Sequence, residues 1–513
     1  MTTRLESPPA AEAHGRRPWF TRGFTKESLA ADVAASFVVF LVALPLCIGI
    51  AVASGVPAEL GIITGVVGGL VVGFLPGSTM QVSGPAAGLT VLVSSTVAEQ
   101  GLAMLGVIVL GAGLLQMLLA MSRLGTWFRA ISPSVVQGML AGIGVVLLLG
   151  QIYPAGGFEQ PMSTAGKIAG IPALATAMVS TPVGLSGLSI TVFTLVVMGL
   201  WNRLPQRIRM VPAALVAVVA AGLVASVSGL PLSTIEIGAL FEAIDVPSFG
   251  AFEGLADTAV LGAILTFALI ASCESLFSAA GIDRMHDGAK TRYNKELMAQ
   301  GAGNTVCGLL GALPLTAVIV RSSTNLRAGA RTKLSRVLHG VWMLLFVVLL
   351  PGVLSYLPSA ALAALLLHAG WKLIAVRHVA ELVRTHRSEA FVLVLTAVLI
   401  VLTDLLVGTL TGIAVAIVKS AWEMSRLSIH SSHSEDHIQI EIGGNATFLR
   451  LPHLLDHLEQ LPLTSRAHVD LSSVRHLDRA CEQAVENWVA QRRRSACAVE
   501  VAMPAHPSWR LRQ

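Results

Sequence analysis

A chain of 513 residues with 54% hydrophobic and only 13% charged positions, and a mean hydropathy of +0.72, cannot cover itself with a polar surface. Its net charge of +5 and isoelectric point near 9.1 would suggest nucleic acid in a soluble protein, but the basic residues fall between long apolar runs, which excludes that partner. Runs such as Val33 to Ser54 and Ala256 to Ala280 are too long for tilted barrel strands, and lipid admits only helices or closed barrels, so the expected fold class is an all-α membrane protein.

Residues 1–29 are polar, carry Arg16, Arg17, Arg22 and Lys26, and show no cleavable signal pattern, which puts the N-terminus in the cytoplasm. The transmembrane domain is expected over residues 30–425. Its spans begin near Val33, Ala58, Gly84, Leu102, Ile131, Val183, Val211, Ala256, Tyr293, Val320, Leu334, Pro358, Ala390 and Leu406. With the N-terminus inside, every even-numbered span ends inside, where Lys and Arg should collect. Arg123 and Arg129 follow the fourth span, Arg203, Arg207 and Arg209 the sixth, and Arg284, Lys290, Arg292 and Lys295 the eighth. Arg327, Arg331, Lys333 and Arg336 follow the tenth, and Lys372, Arg377, Arg384 and Arg387 the twelfth. The opposite side has the loop from Gly229 to Asp257, with Glu236, Glu242, Asp245, Glu253 and Asp257 and no Lys or Arg.

Fourteen spans make two halves of seven, and an odd number per half makes the second half enter from the opposite face, an inverted-topology repeat. The third and tenth spans correspond, and both are short. Gly84 to Ser95 follows Gln81-Val82-Ser83, and Val320 to Ala330 follows Leu313-Pro314-Leu315-Thr316. Each reads as a half-helix starting near the midplane after an extended lead-in. Their positive dipole ends would converge on one point, where an anion belongs.

In the tenth span, Val320-Arg321-Ser322-Ser323-Thr324-Asn325 puts a permanent cation at the half-helix start. Burying Arg costs roughly 2.5 to 3.5 kcal/mol on insertion scales, so it is expected to attract an anion or to hold a structural ion pair. In the third span, Ser83-Gly84-Pro85-Ala86-Ala87-Gly88 has small side chains that leave backbone N–H groups open, and Pro is tolerated in the first turn; close helix packing would use the same residues. Glu274, in the apolar stretch from Leu265 to Ser278, is a candidate site for H⁺ or Na⁺ coupling or a static partner of Arg321, with Ser278 one turn further on the same face. Asp404 is expected to end a span outside, and His368, Gln116 and Gln137 read as hydrogen bonders between helices. Cys47, Cys273, Cys307, Cys481 and Cys497 lack metal-ligand spacing, and no nucleophile elbow or phosphate loop occurs. The expectation is neither an enzyme nor a metal or cofactor protein.

Four stretches resemble the SulP anion transporter family: Phe40 to Leu46, Val82 to Thr90, Asn294 to Asn304 and Arg321 to Thr332. The resemblance covers nearly the whole chain. It implies fourteen helices divided into a core domain (spans one to four and eight to eleven) and a gate domain, an elevator-like movement of one against the other, and a homodimer. Carried over by position, Pro85, Ala86 and Ala87 would line one side of the anion site and Val320, Arg321 and Ser322 the other. Glu274 and Ser278 stand where cyanobacterial bicarbonate transporters place an acid and a hydroxyl for Na⁺. Ala86 stands where those proteins have a hydroxyl residue, which weakens the case for Na⁺ and leaves H⁺ coupling open.

After a linker over 426–436, residues 437–505 resemble a short STAS domain, through Ile438 to Ile442, Gly444 to Phe448, Val469 to Val474 and Leu477-Asp478. Arg479 stands where some relatives have a phosphorylatable Ser, which argues against phosphoregulation there. Together these readings imply secondary active transport of a small inorganic anion across the cytoplasmic membrane, with both termini inside. Bicarbonate is favoured and sulfate next; a C4-dicarboxylate symporter, or an uncoupled channel or sensor, is the alternative.

Overall fold

A computed structural model describes residues 25–126, 132–161, 163–201, 203–205, 211–234, 238–350, 352, 356–434, 437–461, 466–494 and 498–502. Of the residues singled out above, Arg16, Arg17, Arg22, Arg129, Ile131, Arg207, Arg209, Glu236 and Cys497 lie outside that set, as do 435–436 and 503–505 of the expected linker and tail. The chain divides into two units, Met1–Gly412 and Ile413–Gln513.

In the first unit, Thr25 and Ser28 form a reciprocal capping box that starts α1 (Lys26–Ala53). There follow α2 (Ala58–Val67), prolonged by a π turn at Gly68–Val72, then β1 (Ser83–Pro85), a 3₁₀ turn at Ala87–Leu89, α3 (Thr90–Gln100) and α4 (Leu102–Met121). Next come α5 (Pro133–Ala155), the short α6 (Thr164–Ala169) and α7 (Ile171–Ser180), α8 (Pro182–Trp201) and α9 (Ala213–Ser228). The second half has α10 (Thr258–Asp283), α11 (Tyr293–Leu309), β2 (Leu315–Ala317), α12 (Ile319–Arg327) and α13 (Leu334–Leu349). It closes with α14 (Ser359–Ile374), α15 (Val376–Thr385) and α16 (Arg387–Leu402), after which α17 (Leu405–Met424) begins in the first unit and ends in the second.

Every expected span has its helix, with starts a few residues from those expected except for α1, which begins at Lys26 rather than Val33, and α3, which begins at Thr90 rather than Gly84. Among the described residues seven helical stretches are long and apolar enough to cross a bilayer by length and composition. α3 and α12 are too short to do so, as half-helices must be. Helices α6, α7 and α15 are additions the sequence reading lacked. Packing gathers the spans into two groups, α1, α2, α4 and α10 to α13 on one side and α5 on α14 and α16 with α8 on α9 on the other, and α1 packs on α14 across the two. Within the first group α4 and α11 cross at glycines. A Cβ on Gly113 would stand 2.4 Å from the Thr305 nitrogen, and one on Gly308 2.2 Å from the Leu110 nitrogen, so only glycine permits that approach.

The second unit holds a mixed sheet. β3 (Leu427–Ser434) is antiparallel to β4 (His437–Ala446); β4 runs parallel to β5 (Arg466–Asp470) and β6 (Val474–Leu477), and β5 parallel to β7 (Val499–Ala502). Helices α18 (Leu451–Glu459) and α19 (Arg479–Arg494) supply Leu454, Leu458, Val485 and Trp488 to a core with Ile438, Ile440 and Val469. This strand and helix alternation is that of the expected STAS-like domain. The stretch 426–436 is not a bare linker: Leu427 and Ile429 pack on that core, which makes their segment a strand.

Candidate functional site

The two lead-ins meet. β1 and β2 pair antiparallel, with Ser83 opposite Ala317, Gly84 opposite Thr316 and Pro85 opposite Leu315. Extended backbone at membrane depth is tolerated only when protein satisfies it, and polar side chains do so here. Asn304 accepts from the Leu315 N–H (2.7 Å) and donates to its carbonyl (3.0 Å) and to Gln116 Oε1 (2.7 Å). Gln81 donates to the Ser275 carbonyl (2.9 Å), and Ser275 Oγ accepts from the Ala317 N–H (3.2 Å). Asn325 donates to the Met80 carbonyl (3.1 Å), while Gln300 donates to Ser83 Oγ and Glu296 Oε1 (both 2.8 Å).

From that crossing the two helix starts face one another. Their cap positions, Ala86 and Val318, are extended and provide no side-chain cap, so the first N–H groups of both helices keep their positive ends uncapped. Arg321 sits in the first turn of α12, 0% exposed, and faces protein rather than lipid. Among the described residues none of its three guanidinium nitrogens has a hydrogen-bond partner. The Nη1 end of the group is set against Gly84, where a Cβ would stand 2.0 Å from Nη1. The Cys47 thiol is beside it, but a neutral thiol is at most a weak acceptor and leaves the cation unsatisfied.

Glu274, on α10, is half-buried against the start of α3: a Cβ on Gly88 would stand 3.0 Å and 3.2 Å from its two carboxylate oxygens. Oε2 has no partner, and among the described residues no ion pair within 4.0 Å joins Glu274 to Arg321. The static bridge left open by the sequence is absent from this structure. A cavity of about 760 Å³ ends on Ala87, Gly88, Val320 and Arg321, includes Glu274 and Ser278 in its wall, and runs out past Asp283, Arg284 and Lys290. Its mouth is thus on the Lys- and Arg-rich side.

Five expected site residues therefore gather around one cavity: Ala87, Glu274, Ser278, Val320 and Arg321. Pro85, Ala86 and Ser322 do not line it. Pro85 belongs to the strand crossing, Ala86 is the buried cap residue, and Ser322 Oγ accepts from the Val82 N–H (2.9 Å) and donates to the Val318 carbonyl (2.8 Å), so its hydroxyl pins the crossing. Sequence reasoning missed Gly84 and Gly88 as the surfaces against which the two charged groups lie. It also missed Asn304, whose signal was present as the last residue of a family motif. Gln116 is the hydrogen bonder expected, donating to Ser272 Oγ (3.2 Å), and Asp404 caps α17 through the Val407 N–H (2.9 Å).

Two half-helices meeting start to start across paired strands, with a buried guanidinium between them, within fourteen spans arranged as a 7+7 inverted repeat: this is the architecture of a multi-pass membrane anion transporter. Residues 29–396 match the profile of the Sulfate permease family, and the chain belongs to that family, whose members are transporters and not enzymes. It is 30% identical over 430 residues to YvdB of Bacillus subtilis, a protein named for sulfate transport, across 80% of this chain and 78% of that one. It is 26% identical to the bicarbonate transporter BicA of a Picosynechococcus species, across 80% and 74% of the two chains. Murine Slc26a9, an anion transporter solved in the inward-facing state, shares the fold with a TM-score of 0.76 at 15% identity, over 94% of this chain and 87% of that one.

Proposed function

We propose that the protein is a secondary active transporter that moves a small inorganic anion, bicarbonate in preference to sulfate, across the cytoplasmic membrane. The observation that carries this reading is Arg321: a permanent cation, fully buried, without a hydrogen-bond partner among the described residues, set at the positive ends of two helices. An uncompensated buried charge costs several kcal/mol, and an oxyanion held between guanidinium and backbone N–H groups removes that cost. A guanidinium fork takes an oxyanion through two parallel bonds, planar or tetrahedral alike, so it supports an anion cargo, and the order of cargoes rests on the relatives. BicA adds support for bicarbonate, and YvdB keeps sulfate as the second cargo.

The cavity open on the basic side supports an inward-facing reading, in which both termini would be inside. An elevator-like step would carry the α1 to α4 and α10 to α13 group, with the anion between α3 and α12, against α5, α8, α9, α14, α16 and α17. Glu274 shares the cavity with the anion and has no fixed cationic partner, which suits a carboxylate that exchanges H⁺ or Na⁺ during the cycle. Ala87 and Ser278 complete the walls; a homodimer is the expected assembly. In proteoliposomes, labelled bicarbonate and then sulfate should be taken up under a separately imposed H⁺ or Na⁺ gradient. Uptake of fumarate or uracil without either anion, or anion flux indifferent to both gradients, would overturn the assignment.

A further inference from the structure

Beyond the Arg321 cavity, Lys167 is a buried cation that borders a cavity of its own. Lys167, on α6, is 6% exposed, and among the described residues its ammonium has neither an ion pair nor a hydrogen-bond partner. It borders a cavity of about 360 Å³ whose walls include Thr90, Ser94, Ser95, Gln151 and Gln160. Thr90 Oγ1 is also buried there without a partner. Burial holds the Lys167 ammonium below the usual lysine range, a cost that a nearby anion offsets.

The position of this cavity connects it with transport. Thr90, Ser94 and Ala98, with Val91 and Ser95 beside them, recur at helical spacing and put one face of α3 along the cavity. Ala87, at the Arg321 site, precedes Ser95 on that helix by about 12 Å of rise. Another cavity of about 340 Å³ touches Ala87 and Gly88 at one end and shares Ser95, Val146 and Leu147 with the Lys167 cavity at the other. Hydroxyls and a cation therefore line the route from the half-helix start to the end of α3, on the side away from the basic loops. Glu99 is exposed at the rim and carries the opposing charge; it makes no ion pair with Lys167.

We infer that the Lys167 cavity is a second binding site for a small oxyanion, in the outer half of the pathway, where cargo is held before it reaches Arg321. The inference rests on the anion-transport reading and its orientation. Each cycle would begin with an anion hydrogen-bonded to the ammonium, Thr90 and Ser94, followed by transfer along α3.

The test compares the two faces of oriented proteoliposomes with labelled bicarbonate and sulfate. Lys167→Met, which replaces a buried charge with an apolar side chain of similar length and should fold, is expected to raise the external half-saturation concentration about tenfold, the loss of one charge-assisted contact. Half-saturation from the inner face should not change. Lys167→Arg should restore the external value, and Glu99→Gln should lower it. Equal external values for wild type and Lys167→Met, or equal shifts on both faces, would overturn the inference, the second outcome marking Lys167 as a structural support. Should the wild type transport neither anion, the transport reading fails separately. Sulfate titration of purified Arg321→Ala then decides: weak binding that disappears in Arg321→Ala/Lys167→Met supports the outer site, and identical binding in the two overturns it.

Discussion

Arg321 and Arg336 lie one helix apart, are 0% and 1% exposed, and have opposite surroundings. Arg336 Nε donates to the Gly73 carbonyl (2.9 Å), and its Nη2 to those of Val72 (3.0 Å) and Leu75 (2.7 Å). Those carbonyls cluster at the end of the α2 π turn, the negative end of a helix, which is where a cation is at home, although the Val72 carbonyl also accepts from the Leu75 N–H (3.1 Å) and the Leu75 carbonyl from Lys333 Nζ (3.4 Å). Arg321 occupies the positive end of α12 and faces the positive end of α3 with only the weak Cys47 thiol beside it. Burial alone thus says little about a charged side chain; the sign of the backbone field around it separates a cap from a ligand-binding group.

The strongest way to break this contrast is Arg336→Ala. It removes a buried donor shared by three carbonyls and should destabilise the membrane unit by about 3 kcal/mol, read as a lower melting temperature and loss of a monodisperse elution peak in detergent. A stable Arg336→Ala protein would mean that the cap is dispensable. Next in size, Gly84→Ala should cut anion uptake by about tenfold to a hundredfold, because the added methyl takes the place of the guanidinium. Unchanged uptake would show that Arg321 works from another position.

Glu274→Gln sharpens the comparison between cargo and coupling. It should abolish the response of uptake to the imposed H⁺ or Na⁺ gradient while anion half-saturation stays within about twofold; a retained response would reduce Glu274 to a wall residue. The smallest effect belongs to Asp478, in the second unit. Burial would raise its carboxyl, but backbone N–H bonds from Cys481 (2.9 Å) and Phe448 outweigh burial and hold it below the usual aspartate range. A carboxyl held low stabilises the fold above its unfolded pKa, and that contribution is lost as pH falls below the ordinary value of about 3.9. Asp478→Asn keeps only one acceptor oxygen for the two N–H groups and should therefore cost about 1 kcal/mol near neutral pH, seen as faster hydrogen exchange across residues 448–481 of the full chain, with the difference shrinking in acid. A constant difference at all pH values would point to packing instead.

Much of the membrane fold could be read directly, because lipid allows few solutions. Apolar runs located the spans, basic loops their alternation, and the short segments at Gly84 and Val320 the half-helices. The site was legible where a residue type is expensive in lipid, as with Arg321 and Glu274. It was not legible where side-chain direction decides: Ser322 and Ser278 are both buried hydroxyls, and only the pairing of β1 with β2 turns the first toward the crossing. Arg336 was counted with the cytoplasmic basic loops because its acceptors, more than 250 positions earlier in the chain, are invisible to local pattern. Leu427 and Ile429 were too sparse an alternation to announce a strand, yet the core of the second unit takes them in.

The most direct test of the electrostatic contrast is the initial rate of labelled bicarbonate and sulfate uptake by Arg321→Ala beside its melting temperature. Removing a cation from the positive ends of two helices should abolish uptake, a loss of at least about a hundredfold, and leave the melting temperature equal to or above that of the wild type. Uptake at the wild-type rate, or a protein that unfolds as Arg336→Ala is expected to, would contradict it.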